Sequence, residues 1–403
     1  MSRPPLEVAD VFRAHARDFI ESLGGLVSSA KRKVLRDLIA CRTAALGGYR
    51  HVCSEDCGYE RFAYKPCGNR HCPKCQAAAR AEWLEARAAD VLPVEYFHVV
   101  FTLPPALAEI AYQNKKVMYD LLFRASAETL KQVAADPRHL GAEIGFIGLL
   151  HTWGQTLQHH PHVHYVIPGG GFGPDGATWV SCRPGFFLPV RVLGRLFRGK
   201  FLALTRRAYD RGQLSFQEWL AHLADPEAFA EHLAPTYEVD WNVYAKPPFG
   251  GPVQVLKYLA RYTHRVAISN QRLVSLENGK VSFRYKDYAH GNRPRTLELA
   301  APEFIRRFLL HVLPKRFVHI RHFGFLANPV RAKRLARCRE LLHDADVTTP
   351  QLDDIVPAFT WDGPADTPGS PCPQCGKGHI VRHVLDPVPG VDPCSAPPGI
   401  DSS

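Results

Sequence analysis

No uninterrupted apolar run in these 403 residues reaches the length of a membrane span. The opening MSRPPLEVADVFRAHARDF carries charges throughout, so it lacks the apolar centre of a secretory signal peptide. Acidic residues are in deficit, 39 against 50 lysines and arginines, which leaves a net charge of +11 and a pI near 9.1. That surplus favours a polyanionic partner. The cysteines number eleven, an odd count. Without an export signal they point to thiols and metal ligands, not to a disulfide framework. The chain reads as soluble and cytoplasmic, with no membrane partner. Its 46% hydrophobic and 22% charged residues are ordinary for a globular protein, and its length suits two or three domains.

What the chain does have is HHPHVHYVIPGGG, from His159 to Gly171. Side chains alternate along a strand, so Val163, Tyr165 and Ile167 face a core while His162 and His164 project together from the other face. Two co-directed imidazoles suit a divalent cation, and a third ligand would complete a set with open positions. A pair of solvated histidines is the plain alternative. The preceding AEIGFIGLLHTWGQTLQ reads as a strand that turns back around His159 to Pro161. A tight hairpin would set Gln155 roughly across from His162, which makes it the first choice for third ligand. His151 and His159 are close alternatives.

Between Cys53 and Cys75 lies CSEDCGYERFAYKPCGNRHCPKCQ, in which Cys53 and Cys57 precede Cys72 and Cys75 by fourteen intervening residues. Two such knuckles can bring four thiolates around one zinc ion, with Cys67 and His71 as spare ligands. A closed tetrathiolate site has no open position, so its role is structural, at about one zinc per chain. Arg61, Lys65, Arg70 and Lys74 surround it and offer either a DNA-contacting surface or a solvated face. Upstream, residues 6 to 40 read as two helices separated by Gly24 and Gly25.

GGPVQVLKYLARYTHRVAIS reads as a helix from Gly250, in which Tyr258 and Tyr262 share a face roughly 6 Å apart at Cβ. Lys257 and Arg261 place positive charge alongside. In isolation a tyrosine pair is a packing stripe; beside His162 and His164 it gains a chemical use. Asn278-Gly279 marks a hairpin. Beyond it Arg306, Arg307, Lys315, Arg316 and Arg321 interleave with Phe308, Phe317 and Phe323. That pattern suits either a single-stranded backbone with unstacked bases or a basic helix end over its core. From about Pro357 the composition shifts to Pro, Gly and Ser, a linker or tail in which Cys372 and Cys375, with His379 and His383, could hold a second zinc.

CGNRHCPKCQ, HTWGQTLQHHPHVHYVIPGGG, YLARYTHRVAISN and LPKRFVHIRHFGFL fall in an order that resembles the IS ninety-one family of rolling-circle transposases, in the two-tyrosine HUH superfamily. The blocks span most of residues 40 to 340; Cys67-Gly68 departs from the polar residue expected after that cysteine. The resemblance implies an α+β protein: a helical and zinc-binding module over 1–92, then an HUH catalytic domain over 93–327 with a central antiparallel sheet flanked by helices. A basic helix over 328–356 and the tail over 357–403 complete it. It also implies a metal-dependent single-strand DNA endonuclease and strand transferase acting at element ends and target, with structural zinc. His162 and His164 would hold Mg²⁺ or Mn²⁺, and Tyr258 or Tyr262 would form a 5′-phosphotyrosine link. A plasmid replication initiator or relaxase would use the same chemistry, whereas a zinc-finger DNA-binding protein would use none of it. A tyrosine recombinase would need its nucleophile after a His-x-x-Arg box, and here both tyrosines precede HIRHFG.

Overall fold

The computed structural model describes residues 5–76, 83, 86, 87, 90–246, 266–342 and 367–388. In chain order the described elements begin with α1 (Val8–Ser22), α2 (Ser29–Ala40), β1 (Gly48–Cys53), β2 (Glu60–Tyr64) and β3 (Tyr96–Thr102). Then come α3 (Pro105–Gln113), α4 (Lys115–Ala135), β4 (Phe146–Trp153), β5 (His159–Pro168), β6 (Gly170–Phe172) and β7 (Trp179–Ser181). Helices α5 (Val190–Asp210) and α6 (Pro226–Glu238) lead to β8 (Val243–Lys246), β9 (Leu273–Glu277), β10 (Lys280–Asp287) and β11 (Arg293–Ala300). The last are α7 (Ala301–Leu310), β12 (Ile320–Phe323), α8 (Arg331–Leu342) and β13 (Ile380–Leu385). The fold is α+β, as the family resemblance implies.

A five-stranded sheet, ordered β12-β4-β5-β3-β8 and antiparallel at every pairing, carries the rest. Its period-2 alternation works on both faces. Val163, Tyr165 and Ile167 are fully buried in the largest apolar core, with Phe97, Val99 and Phe101 of β3. Helices α4 and α5 cover that core through residues such as Leu122, Phe123, Phe197 and Phe201. On the opposite face Ile147, Leu149 and Val166 pack under Phe325 and Leu335. The strands facing these layers are therefore apolar on both sides, except where histidines interrupt the second face.

The expected N-terminal helices are present, and the first packs into a core shared with a later part of the chain. Helix α1 turns Val8, Val11, Phe12 and Phe19 inward at helical spacing, and its first turn is closed by a reciprocal capping box between Glu7 and Asp10. That stripe shares one core with Leu273, Val281, Phe304 and Phe308 of the β9–β10–α7 region. The Phe12 and Phe308 rings meet edge-on at 5.1 Å. The β9–β10 hairpin turns at Asn278-Gly279, both in the left-handed region at φ 51° and 72°, as its sequence predicts.

The tail departs from the expected linker. Residues 380–385 form β13, which pairs with β1 in a three-stranded sheet, β13-β1-β2. Among the described residues no helix is long and apolar enough to cross a membrane.

Candidate active site and metal-binding clusters

Antiparallel pairing sets His151 of β4 directly opposite His162 of β5. His162 and His164 project from one face of β5, so three imidazoles converge, with all ligand nitrogens within 4.8 Å of one another. Their rings lie 5.6 Å apart for His151 and His162, 4.5 Å for His151 and His164, and 4.8 Å for His162 and His164. Gln155, the first choice from sequence, lies in the hairpin turn itself, outside both β4 and β5. The hairpin turns before His159, and β5 already begins there. The Gln155 side chain instead bonds the Tyr288 hydroxyl at 3.1 Å, and its oxygen accepts from the Lys286 amide at 3.4 Å. The third ring that the structure brings to His162 and His164 is His151, one of the two alternatives. His159, the other, donates from Nδ1 to the Ala108 carbonyl and accepts from the Tyr119 hydroxyl at 2.7 Å.

The surroundings of the three rings suit a cation. His162 donates from Nδ1 to the His160 carbonyl at 2.7 Å, so Nε2 is the ligand atom it would offer. His164 Nδ1 lies 2.8 Å from Nε2 of His98, a buried β3 residue on the same face. A metal at Nε2 of His164 would require Nδ1 to donate to His98, a bond that also fixes the ring. Trp153 stacks on His151 at 4.7 Å. Burial is graded: His151 and His164 are buried and His162 is half-exposed, so the cluster opens on the His162 side. His98 escaped the sequence reading because a single histidine within EYFHVVFTLP looks like a core residue.

The cysteines regroup. Cys53, Cys57, Cys72 and Cys75 do not form one cage: Cys72 and Cys75 join Cys41 and Cys67, while Cys53 and Cys57 meet Cys372 and Cys375. In the first group Cys41–Cys75, Cys67–Cys75 and Cys41–Cys72 each have sulfurs 3.6 Å apart. A tetrahedron of zinc–sulfur bonds has an edge of about 3.8 Å, so four thiolates at this separation fit one zinc. Spacing drew Cys67 in as a spare ligand, but nothing in the sequence marked Cys41, at the end of α2. His71 is not in the group, and burial pushes it down to about 3.

The basic residues divide. Arg306 and Arg307 both bond Glu303 at 2.6 Å, and Arg307 also donates to the Thr156 carbonyl. Arg321 pairs with Asp120 and lies over the Phe123 ring at 4.3 Å. Arg70 donates to the Phe317 carbonyl, and Lys74 forms a sheltered pair with Glu7 at 2.7 Å. Lys315 and Arg316 are exposed. Phe308 and Phe317 are core residues, and Phe323 stacks on Phe146 at 5.1 Å, so these rings pack instead of offering faces to bases. Tyr258, Tyr262, Lys257 and Arg261 lie outside the described residues.

A matching family description, "Transposase zinc-binding domain", covers residues 11–103, and a second, "Putative transposase", covers 145–334. Over 398 residues the chain is 52% identical to "Putative transposase y4qJ" of Sinorhizobium fredii, spanning 98% of this chain and 99% of that one. The chain belongs to the IS91 family of transposases. The "Transposase for insertion sequence element IS801" of Pseudomonas savastanoi pv. phaseolicola is 28% identical to this transposase over 322 residues, 78% of this chain and 75% of that one. A solved structure of TrwC with a 27-mer DNA aligns over 83% of the transposase and 96% of its own chain, at 14% identity and a TM-score of 0.23, a likeness too slight to bear on fold or function. The transposase is thus a DNA-processing enzyme with a zinc-binding domain.

Beside the cluster, His311 makes acid a threat to this fold. It is buried, donates from Nε2 to the Leu157 carbonyl at 3.0 Å and accepts at Nδ1 from Thr152, which requires a neutral ring. Burial lowers it from 6.5 to about 3. Between those values the unfolded chain binds the proton and the folded chain does not, so stability falls as pH drops below 6.5. The slope reaches about 1.4 kcal/mol per pH unit for one such group. Urea unfolding at pH 7.5 and 5.5 should therefore show a smaller loss in His311→Gln than in the parent; equal losses would refute this role.

Proposed function

We propose that this transposase cleaves and rejoins single-stranded DNA at element ends and target through a covalent 5′-phosphotyrosine, as expected for rolling-circle transposition. The three-imidazole cluster of His151, His162 and His164 on the central antiparallel sheet carries this reading. Three neutral imidazoles would hold a divalent cation with positions open for phosphate oxygens; the proposed ion is Mn²⁺ or Mg²⁺, although imidazole donors by themselves favour ions such as Zn²⁺. When bound, the cation would neutralise the scissile phosphate and so ease attack by a weak nucleophile.

The chain's own residues would do the rest. His98 holds the His164 ring, the His160 carbonyl holds that of His162, and Trp153 flanks His151. The half-exposed side at His162 is where a phosphate would approach. Tyr258 or Tyr262 supplies the phenolate oxygen, since a phenol with pKa near 10 needs a neutralised target. The oxygen–phosphorus bond to tyrosine forms as the bond to the 3′-oxygen breaks. The phenol loses its proton, and the departing oxygen gains one. Because the phosphoester is retained, a 3′-hydroxyl can reverse the step without ATP, and a second tyrosine allows two strand ends to be held together. Lys257, Arg261, Arg306, Lys315 and Arg316 would contact the DNA backbone; Arg307 and Arg321 would help position the fold around it.

The test is incubation of the purified protein with single-stranded DNA carrying its element's ends, with Mn²⁺ or with EDTA, followed by a denaturing gel. A covalent adduct formed only with metal, mapped to Tyr258 or Tyr262 and lost in the Tyr258→Phe/Tyr262→Phe double variant, is expected. DNA binding without any adduct would favour a zinc-dependent binding protein. An adduct that persists in the double variant would remove both tyrosines from the mechanism.

A further inference from the structure

We propose a second structural zinc site, formed by Cys53, Cys57, Cys372 and Cys375, which fastens the C-terminal part of the chain to the N-terminal module. The four sulfurs lie within 4.8 Å of one another although their pairs are more than 300 residues apart in sequence. Cys53–Cys375 and Cys57–Cys372 are each separated by 3.6 Å. That is far beyond the about 2.05 Å of a disulfide and close to the about 3.8 Å edge of a zinc tetrathiolate. It is also the separation in the Cys41 cage, within the part of the chain that matches a zinc-binding domain. The second site draws half its ligands from beyond that match, which ends at residue 103.

The backbone around these thiols is built for charged sulfur. The Glu55 amide donates to Cys53 Sγ at 3.4 Å and the Gly378 amide to Cys375 Sγ at 3.5 Å. Such donors stabilise thiolate over thiol. The Asn69 amide does the same for Cys67 in the first cage. A side chain at Gly378 would place Cβ 2.5 Å from Cys53 Sγ, so the backbone must come this close for the sulfurs to converge. His379 is not a ligand here: its ring bonds the Ser54 hydroxyl at 3.1 Å. His383 lies exposed on β13, opposite Arg50.

Six paired residues of β1 and β13, from Gly48 with Leu385 to Cys53 with Ile380, run directly into the site. The Gln374 side chain adds a bond to the Cys57 carbonyl at 3.0 Å. The apolar cluster around the sulfurs is small, with Ile380 its only buried non-cysteine residue among the described residues, so burial there contributes little to holding the tail. The metal therefore supplies the closure, and the N-terminal sheet is completed only once residues 380–385, which follow the Cys372 and Cys375 ligands, have been made.

The test measures metal per full-length chain after exhaustive dialysis. The parent should carry two zinc ions, Cys372→Ser/Cys375→Ser one, and Cys375→His two, because a three-cysteine, one-histidine set still binds zinc. Limited proteolysis should release the C-terminal segment from the serine variant and not from the parent. Far-ultraviolet dichroism checks that the serine variant is otherwise folded; should it fail to fold, zinc content and protection in the histidine variant decide. One zinc in the parent, two retained in the serine variant, or a Cys53–Cys375 disulfide in the purified protein would each overturn the proposal.

Discussion

Replacing His151 with alanine is expected to reduce metal-dependent cleavage of single-stranded DNA by about 100-fold or more while leaving DNA binding intact. Removing even an outer hydrogen-bond partner of a metal ligand costs about 10- to 100-fold, and His151 is one of three candidate ligands. Gln155→Ala, by contrast, removes only bonds to Tyr288 and Lys286 and should change cleavage no more than a few-fold. His98→Phe should fall between them, because it frees the His164 ring without deleting a nitrogen from the cluster. The discriminating readout is the Mn²⁺ concentration needed for half-maximal cleavage, which should rise for His151→Ala and hold for Gln155→Ala. The reverse order would return the third position to Gln155. Equal loss of cleavage and DNA binding in His151→Ala would assign the cluster a structural role.

How this site was legible, and where it was not, follows from two kinds of geometry. Alternation along β5 is a local property, so the shared face of His162 and His164 and the buried face of Val163, Tyr165 and Ile167 could be read directly. The partner across the hairpin depends on where the turn closes. The turn closes around residues 154–158, ahead of His159, so His151 and not Gln155 stands across from His162. Cysteine spacing has the same limit. It identifies knuckles but does not choose which pairs join, and here each knuckle found its partner elsewhere: Cys72 and Cys75 with Cys41 and Cys67, Cys53 and Cys57 with Cys372 and Cys375. The interleaved arginines and phenylalanines misled in a different way. An amphipathic helix such as α7 needs apolar residues for its core and charges for its surface, and that need alone produces the alternation seen around Phe308.

Cys41→Ser is expected to have the largest effect on folding. Structural zinc in small domains is worth about 10–16 kcal/mol of apparent binding energy, and its loss commonly unfolds them. Here the damage should spread beyond the zinc-binding domain, because Cys41, Cys72 and Cys75 are buried in the same core as Phe12, Phe283, Phe304 and Phe308. The knuckle is also tied inward by Arg70 on the Phe317 carbonyl and by the Lys74–Glu7 pair, which is 13% and 5% exposed. Loosening it leaves those sheltered charges to find new partners, a costly outcome for a buried pair. The β9–β10 hairpin and α7 should therefore lose protection together with α1 and α2. Hydrogen exchange followed by mass spectrometry would report this as one cooperative unit in Cys41→Ser, alongside loss of one zinc. Cys53→Ser should instead expose β1 and β13 and leave α7 protected, since among the described residues Cys53 packs in the small cluster around Ile380 and not in the core of α7. If Cys41→Ser kept its zinc and the protection of α7, the four-cysteine cage and its structural coupling to the catalytic half would both be wrong.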